Sequence, residues 1–358
     1  MEKDCKKNFW KLASVLISVI SVAILAVVVM DPFYQYHSPW LGIPVILDNA
    51  VYQTPGAARN LEYTDVIVGT SMTENFHTSW FDEGLGWNTL KLSYSGARSD
   101  DLNAIFAQVF TRKEPVNHVL MNINDYQLTV PSWTAYVERP GYLYSTSVWD
   151  DYAYLLNHDV LAVGWKRVLD GLCGVGDNRD VAYTWEDPGL FGAAYALDDA
   201  RGRREQLMKA GNEIPDAGGE LQEMLLVCRE SLDNILPFME EHPETEFIVF
   251  FPPYSMLYWE QKVLEQKLAN YMQVYKYAIE CFLEYDNVSV FYFHDAEEII
   301  TNLDNYRDTT HHRPEYNRYI FECIKNGDCQ ITKDNLERRI QDMYEFARDY
   351  DYEGYWKG

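Results

Sequence analysis

Asp308 and His311 stand three residues apart in DNYRDTTHHRPEYN, a polar, tyrosine-containing segment late in the chain. One turn of backbone presents both side chains together, so the carboxylate can hold the imidazole Nδ1–H while Nε2 faces a hydroxyl. Ser71, in GTSMTEN directly after an apolar run, is a hydroxyl able to complete such a relay. The chemistry is nucleophilic acyl transfer, in which the base accepts the serine proton and the serine oxygen attacks an ester carbonyl. His312 competes as the base and Asp304 as the acid. A plain N-cap serine and a surface histidine pair are the structural alternatives.

Two further positions supply oxyanion donors. Gly96 in SYSGARSD lacks a side chain, so its backbone N–H can approach a ligand, and Asn124 in NIND carries an amide that can donate. Each alone also reads as ordinary turn chemistry. Ser71 at a helix start would add oriented N–H groups and the positive end of a helix dipole. Glu74 and Arg98 flank these loops and read as solvated charges. Trp133, Trp149, Trp165 and Trp185 are able to stack on sugar rings, although such residues more often fill cores. FPPYS (251–255) follows an apolar run and reads as a proline-stiffened loop beside the same cleft.

The elements that must position these residues alternate between two periodicities. Short, nearly continuous apolar runs at TDVIVGT (64–70), HVLMNI (118–123), EFIVFF (246–251) and VSVFYF (288–293) read as strands covered on both faces, with WNTLKLS (87–93) a weaker fifth. Amphipathic stretches over Asp100–Phe110, Gly219–Glu241 and Tyr258–Glu284 predict helices between them. The alternation predicts an α/β fold, a three-layer sandwich with a central parallel sheet of flavodoxin-like kind. Residues 131–217 break the rhythm and read as an aromatic-rich insertion able to reach over the carboxyl ends of the strands, where such sheets bind ligands. Lys333–Tyr352 predicts a charged packing helix.

The chain of 358 residues carries 30 Lys and Arg against 55 Asp and Glu, a net charge of −25, which argues against a nucleic-acid partner. Its 47% hydrophobic and 15% aromatic content excludes a disordered acidic chain. Phe9 to Met30 is apolar except for Lys11, and is long enough to cross a bilayer. Lys3, Lys6, Lys7 and Lys11 precede or open the run and Asp31–Pro32 closes it, which predicts residues 1–8 in the cytoplasm, a transmembrane signal-anchor over 9–30, and residues 31–358 outside. VVVMDPF offers no small-x-small site for a cleaved signal. Residues beyond 30 then hold five cysteines, an odd number. Cys323 and Cys329 are near enough for a local disulfide, with buried thiols the alternative, and no spacing suggests a metal site.

The ordered set of Ser71, Gly96, Asn124 and Asp308 with His311 resembles the block residues of the SGNH (GDSL-like) hydrolases over roughly residues 64–320. Ser71 in GTSM matches the block I serine, Gly96 the block II glycine, Asn124 the block III asparagine, and Asp308 with His311 the block V Asp-x-x-His. GTS replaces the literal GDS, and Asn122 stands where block III usually has glycine. Thr73 replaces the second glycine of a G-x-S-x-G elbow, which disfavours the α/β-hydrolase pattern. The N-terminal anchor followed by DPFYQYHSP is similar to the cell-envelope branch, which includes the D protein of lipoteichoic-acid D-alanylation and the alginate O-acetyltransferases.

That resemblance implies a membrane-anchored, extracytoplasmic serine esterase or O-acyltransferase. Its substrate would be an acylated cell-envelope glycan or another ester, and its partner a membrane-bound acyltransferase. The relay itself calls for no metal or organic cofactor. A noncatalytic carbohydrate-binding or envelope-assembly protein on the same fold is the alternative, and a peptide-directed serine hydrolase a weaker third.

Overall fold

The computed structural model describes residues 2–134, 137–145, 147–185, 187–210 and 217–357. Parts of the expected insertion, at 135–136, 146, 186 and 211–216, lie outside the described residues. The chain divides into two compact units, Met1–Glu62 with Glu138–Ala182 and Tyr63–Val137 with Tyr183–Gly358.

The second unit is built on a six-stranded sheet. Its strands are β1 (Asp65–Gly69), β2 (Thr89–Ser93), β3 (His118–Asn122), β4 (Glu246–Phe251), β5 (Val288–Tyr292) and β6 (Gln330–Ile331), in the spatial order β2-β1-β3-β4-β5-β6. The first five are parallel and β6 pairs antiparallel with β5. The five parallel strands are those read from the sequence; the two-residue β6 is too short to leave a periodic signal. WNTLKLS reads weakly because it holds a charge. Lys91 is nevertheless fully buried in β2, its Nζ donating to the carbonyls of Glu74 at 2.5 Å and Phe76 at 2.6 Å.

Register aligns the core across the sheet. Ile67 pairs with Leu120, Leu120 with Ile248, and Phe250 with Phe291, and all five join Phe76, Phe81, Ile320 and Phe321 in one buried cluster. Burying each such side chain contributes about 1.5–3 kcal/mol, which is what pins the strands in this register. The order reverses direction between β1 and β3, so the crevice outside the carboxyl ends of those two strands is where ligands bind in open α/β sheets.

Helix boundaries refine the expectations. The stretch read as one helix over Gly219–Glu241 is two, Ala217–Leu232 and Leu236–Glu241, the second opening on Pro237. Tyr258–Glu284 likewise divides into Met256–Leu264 and Leu268–Phe282, with Gln266 at φ 58° breaking the ladder between them. The expected tail helix runs Leu336–Asp349 and buries Leu336, Ile340, Met343 and Ala347 along one face.

The first unit contains the N-terminal helix Glu2–Met30, in which Cys5–Met30 is long and apolar enough to cross a membrane. The helix stops at Asp31, whose φ is 32°, followed by Pro32. The Asp31 carboxylate accepts the N–H groups of Gln35, Tyr36 and His37 at 2.7–3.1 Å and the Tyr154 hydroxyl at 2.7 Å. DPFYQYH is therefore a tight reversal organised by one buried acid. Helix His158–Leu172 packs on the last turn of Glu2–Met30, with Val27 and Val160 in one cluster. A Cβ on Gly164 would lie 2.9 Å from Met30 Cε and 3.1 Å from Met30 Cβ, so a larger residue there would need the methionine to shift.

Candidate active site

β1 ends at Gly69 and the chain turns into a short helix, Ser71–Glu74, whose N-cap Thr70 accepts the Met72 N–H. This puts Ser71 on the first turn after the strand. Some 240 residues later, Ser71 Oγ meets His311 Nε2 at 2.8 Å, and His311 Nδ1 meets Asp308 Oδ2 at 2.7 Å. The spacing Asp-x-x-His works here because the intervening backbone closes around the acid. Asp308 Oδ1 accepts the N–H of His311 at 2.7 Å and of Thr310 at 2.9 Å.

Burial would raise the Asp308 pKa, but the hydrogen bond and charge of His311, with the two backbone donors, outweigh it and hold the carboxyl at about 2. It is therefore an anion throughout the range in which a histidine titrates, the state needed to orient an imidazole and stabilise its cation.

The loop is braced from several sides. Ser255 donates from its N–H and its Oγ to the Thr309 carbonyl at 3.1 and 2.7 Å, and the Tyr306 hydroxyl donates to the Pro253 carbonyl. Helix Pro314–Asn326 follows directly, and its buried Asn317 donates to the Met72 carbonyl at 2.8 Å. That single amide ties the segment carrying His311 to the turn carrying Ser71.

All five residues singled out in the sequence, Ser71, Gly96, Asn124, Asp308 and His311, line one cavity of about 600 Å³. Gly96 takes φ 75°, the left-handed conformation open to glycine. Neither its N–H nor that of Ser71 has a protein acceptor among the described residues. Asn124 differs from expectation. Its Nδ2 donates to Thr70 Oγ1 at 2.8 Å and to the Tyr126 hydroxyl at 3.0 Å, while its Oδ1 accepts from Tyr254 and Asn122. Both amide hydrogens are committed to the protein, so the side chain acts first as a brace.

Four residues beyond that set complete the site. Asn122 is fully buried: Oδ1 accepts the Thr70 N–H at 2.9 Å, and Nδ2 donates to Thr70 Oγ1 and Asn124 Oδ1, both at 3.1 Å. Any Cβ on Gly69 would collide with Asn122 Oδ1, so this asparagine and that glycine occupy the turn as a matched pair. Tyr254, from the loop read as merely proline-stiffened, lines the cavity. Trp185 also lines it, meeting the His311 ring edge-on at 5.4 Å and lying under the Arg307 guanidinium. Glu74, read as a solvated charge, is instead buried, and accepts from Trp185 Nε1 at 2.8 Å and from Ser95 Oγ at 3.0 Å. Burial raises its pKa against those hydrogen bonds.

The competing groups stand elsewhere. His312 is buried, and burial pushes its pKa down to about 3. Asp304 accepts the Ala193 N–H. Arg98, also read as solvated, stacks over Tyr126 in the cavity wall. Trp133, Trp149 and Trp165 fill no core and are exposed. Among the described residues no group of three or more His, Cys, Asp or Glu side chains is arranged to hold a metal ion. No protein-family model matches the chain, and no curated protein matches it.

Proposed function

We propose that this chain is a membrane-anchored, extracytoplasmic serine esterase or O-acyltransferase of SGNH type, acting on acyl esters of cell-envelope glycans. The observation that carries the reading is the continuous relay from Ser71 Oγ through His311 to Asp308, at 2.8 and 2.7 Å, on the wall of a cavity large enough for a substrate. A three-layer, flavodoxin-like sandwich is the architecture this strand order favours, with Ser71 and Asn124 following the two strands of the switch point. The apolar helix supports a signal-anchor with a cytoplasmic N-terminus, since the lysines precede it.

In the proposed reaction His311 Nε2 takes the Ser71 proton as Oγ bonds to the ester carbonyl carbon. The resulting oxyanion is met by the N–H groups of Ser71 and Gly96. Collapse breaks the ester C–O bond, and His311 returns its proton to the departing alkoxide. The acyl-serine is then attacked by water or by a sugar hydroxyl, whose proton passes to His311 and on to Ser71 Oγ. Water gives an esterase; a sugar hydroxyl, delivered with a membrane-bound acyltransferase partner, gives a transferase.

The test is a fluorophosphonate probe on the full chain beside Ser71→Ala and His311→Ala, with the modified peptide located by mass spectrometry. Adduct on Ser71, absent in the first variant and strongly reduced in the second, is the expected result. No adduct in folded protein would move the reading to a noncatalytic carbohydrate-binding or assembly role.

A further inference from the structure

Helix His158–Leu172 is apolar on two opposite sides. Val160 and Gly164 face inward among the buried residues, and Arg167, also buried, pairs with Asp48. Trp165, Leu169 and Leu172 follow at intervals of four and three, which places them on one stripe across the helix from that inner face. They are 55%, 58% and 80% exposed. A helix on a soluble surface turns polar side chains outward; this one exposes His158, Asp159 and Lys166 but also bares the apolar stripe beside them. Just before it, Trp149, Tyr152 and Leu156 are exposed as well, and helix Tyr152–Leu155 also packs on Glu2–Met30.

The position of this stripe relative to Glu2–Met30 identifies what covers it. Val22 and Leu25 are exposed apolar side chains that require hydrocarbon if the helix crosses a bilayer. With the apolar run opening at Phe9, a hydrocarbon core of roughly 30 Å takes about 20 residues and ends close to Met30, the residue on which Gly164 packs. Helix His158–Leu172 therefore meets Glu2–Met30 where the hydrocarbon gives way to the lipid head groups.

Side-chain type agrees with this placement: Trp149, Tyr152 and Trp165 are exposed on this unit, and Trp and Tyr are the side chains that favour the membrane interface.

We infer that helix His158–Leu172 lies in the head-group layer of the bilayer crossed by Glu2–Met30, with Trp165, Leu169 and Leu172 buried among lipid. This placement rests on the membrane-anchor reading and is independent of the catalytic one. It would give the unit a second attachment and stop it rotating freely about a single helix.

The test uses the full chain in nanodiscs of phosphatidylcholine and phosphatidylglycerol, with Cys5 and Cys173 replaced by serine. An environment-sensitive fluorophore is attached through Leu169→Cys or, separately, Val19→Cys, and is quenched by lipid-borne nitroxides or by aqueous iodide. The expected result is that the Leu169 label loses most of its fluorescence to a shallow nitroxide and little to iodide, while the Val19 label responds to a deep nitroxide. Iodide quenching at Leu169 with deep quenching at Val19 would overturn the docking and leave the anchor standing. Absence of lipid quenching at Val19 would overturn the anchor itself. A Leu169 label shielded from both quenchers would assign the face to a second copy of the chain and equally overturn the proposal.

Discussion

The Trp185 indole donates to the buried Glu74 carboxylate at 2.8 Å, and its backbone N–H donates to Asn75 at 2.9 Å. Two hydrogen bonds thus fix a cavity-wall residue that stands edge-on to the His311 ring.

Glu74 is therefore a positioning residue, and its replacements should separate binding from chemistry. Glu74→Ala frees the indole, so KM for an ester substrate should rise more than kcat falls. Glu74→Gln keeps an acceptor for Nε1 and should restore KM. Because burial raises the Glu74 pKa, the folded state holds this proton more tightly than the unfolded state. The stability contributed by the protonated form is present below the unfolded value and is lost as pH rises through the folded one. The gain in Tm of Glu74→Gln over the parent should accordingly be larger at pH 7 than at pH 4. An equal difference at both pH values would refute the buried-acid account.

Asp308 has the opposite sign. Its folded pKa of about 2 lies below the ordinary 3.8, so it stabilises the fold above pH 4 and that contribution disappears as pH falls toward 2. The shift corresponds to about 2 kcal/mol at most. Acid unfolding followed by circular dichroism should be shallower between pH 4 and 2 in Asp308→Asn. The same variant should lower kcat on an ester by about 10⁴-fold, since an asparagine amide favours the wrong imidazole tautomer.

Asn122 and Asn317 hold the Ser71 turn from two directions, one through Thr70 and the other through the Met72 carbonyl. Replacing either with alanine strands buried polar partners, at a cost of about 1–3 kcal/mol each. Denaturant unfolding measures the cost. Probe labelling of Ser71 should slow in both variants under conditions where they remain folded, and normal labelling would show that neither asparagine positions the serine.

Cys323 and Cys329 have Sγ atoms 3.8 Å apart as free thiols, close enough to join with a small backbone shift. In the full chain isolated without reductant, alkylation followed by mass spectrometry should find these two cysteines oxidised together and Cys228 and Cys281 reduced. Free thiols at 323 and 329 would refute the disulfide and leave the buried-thiol alternative.

Much of this architecture is legible in the chain. EFIVFF and VSVFYF can be little other than buried strands, and Phe9–Met30 is long enough to span a membrane by composition alone. The Asp308–His311 spacing is readable because their link is local, one turn of backbone closed by its own N–H groups. The roles of Asn122, Glu74, Trp185 and Asn317 were not readable. Each depends on a partner brought from a distant segment, and an asparagine or glutamate in a loop has the same local appearance whether it is solvated or buried.

By itself the sequence determined which runs form the five parallel strands, where the apolar helix lies, and that Asp308 and His311 can share one turn, because hydrophobic period and short-range geometry decide those. Only the tertiary structure decided that Ser71 meets His311 and not His312, that the Asn124 amide is already engaged, and that one helix bares an apolar face. Those depend on which surfaces the packed sheet and its helices leave uncovered, and no local run of residues contains that information.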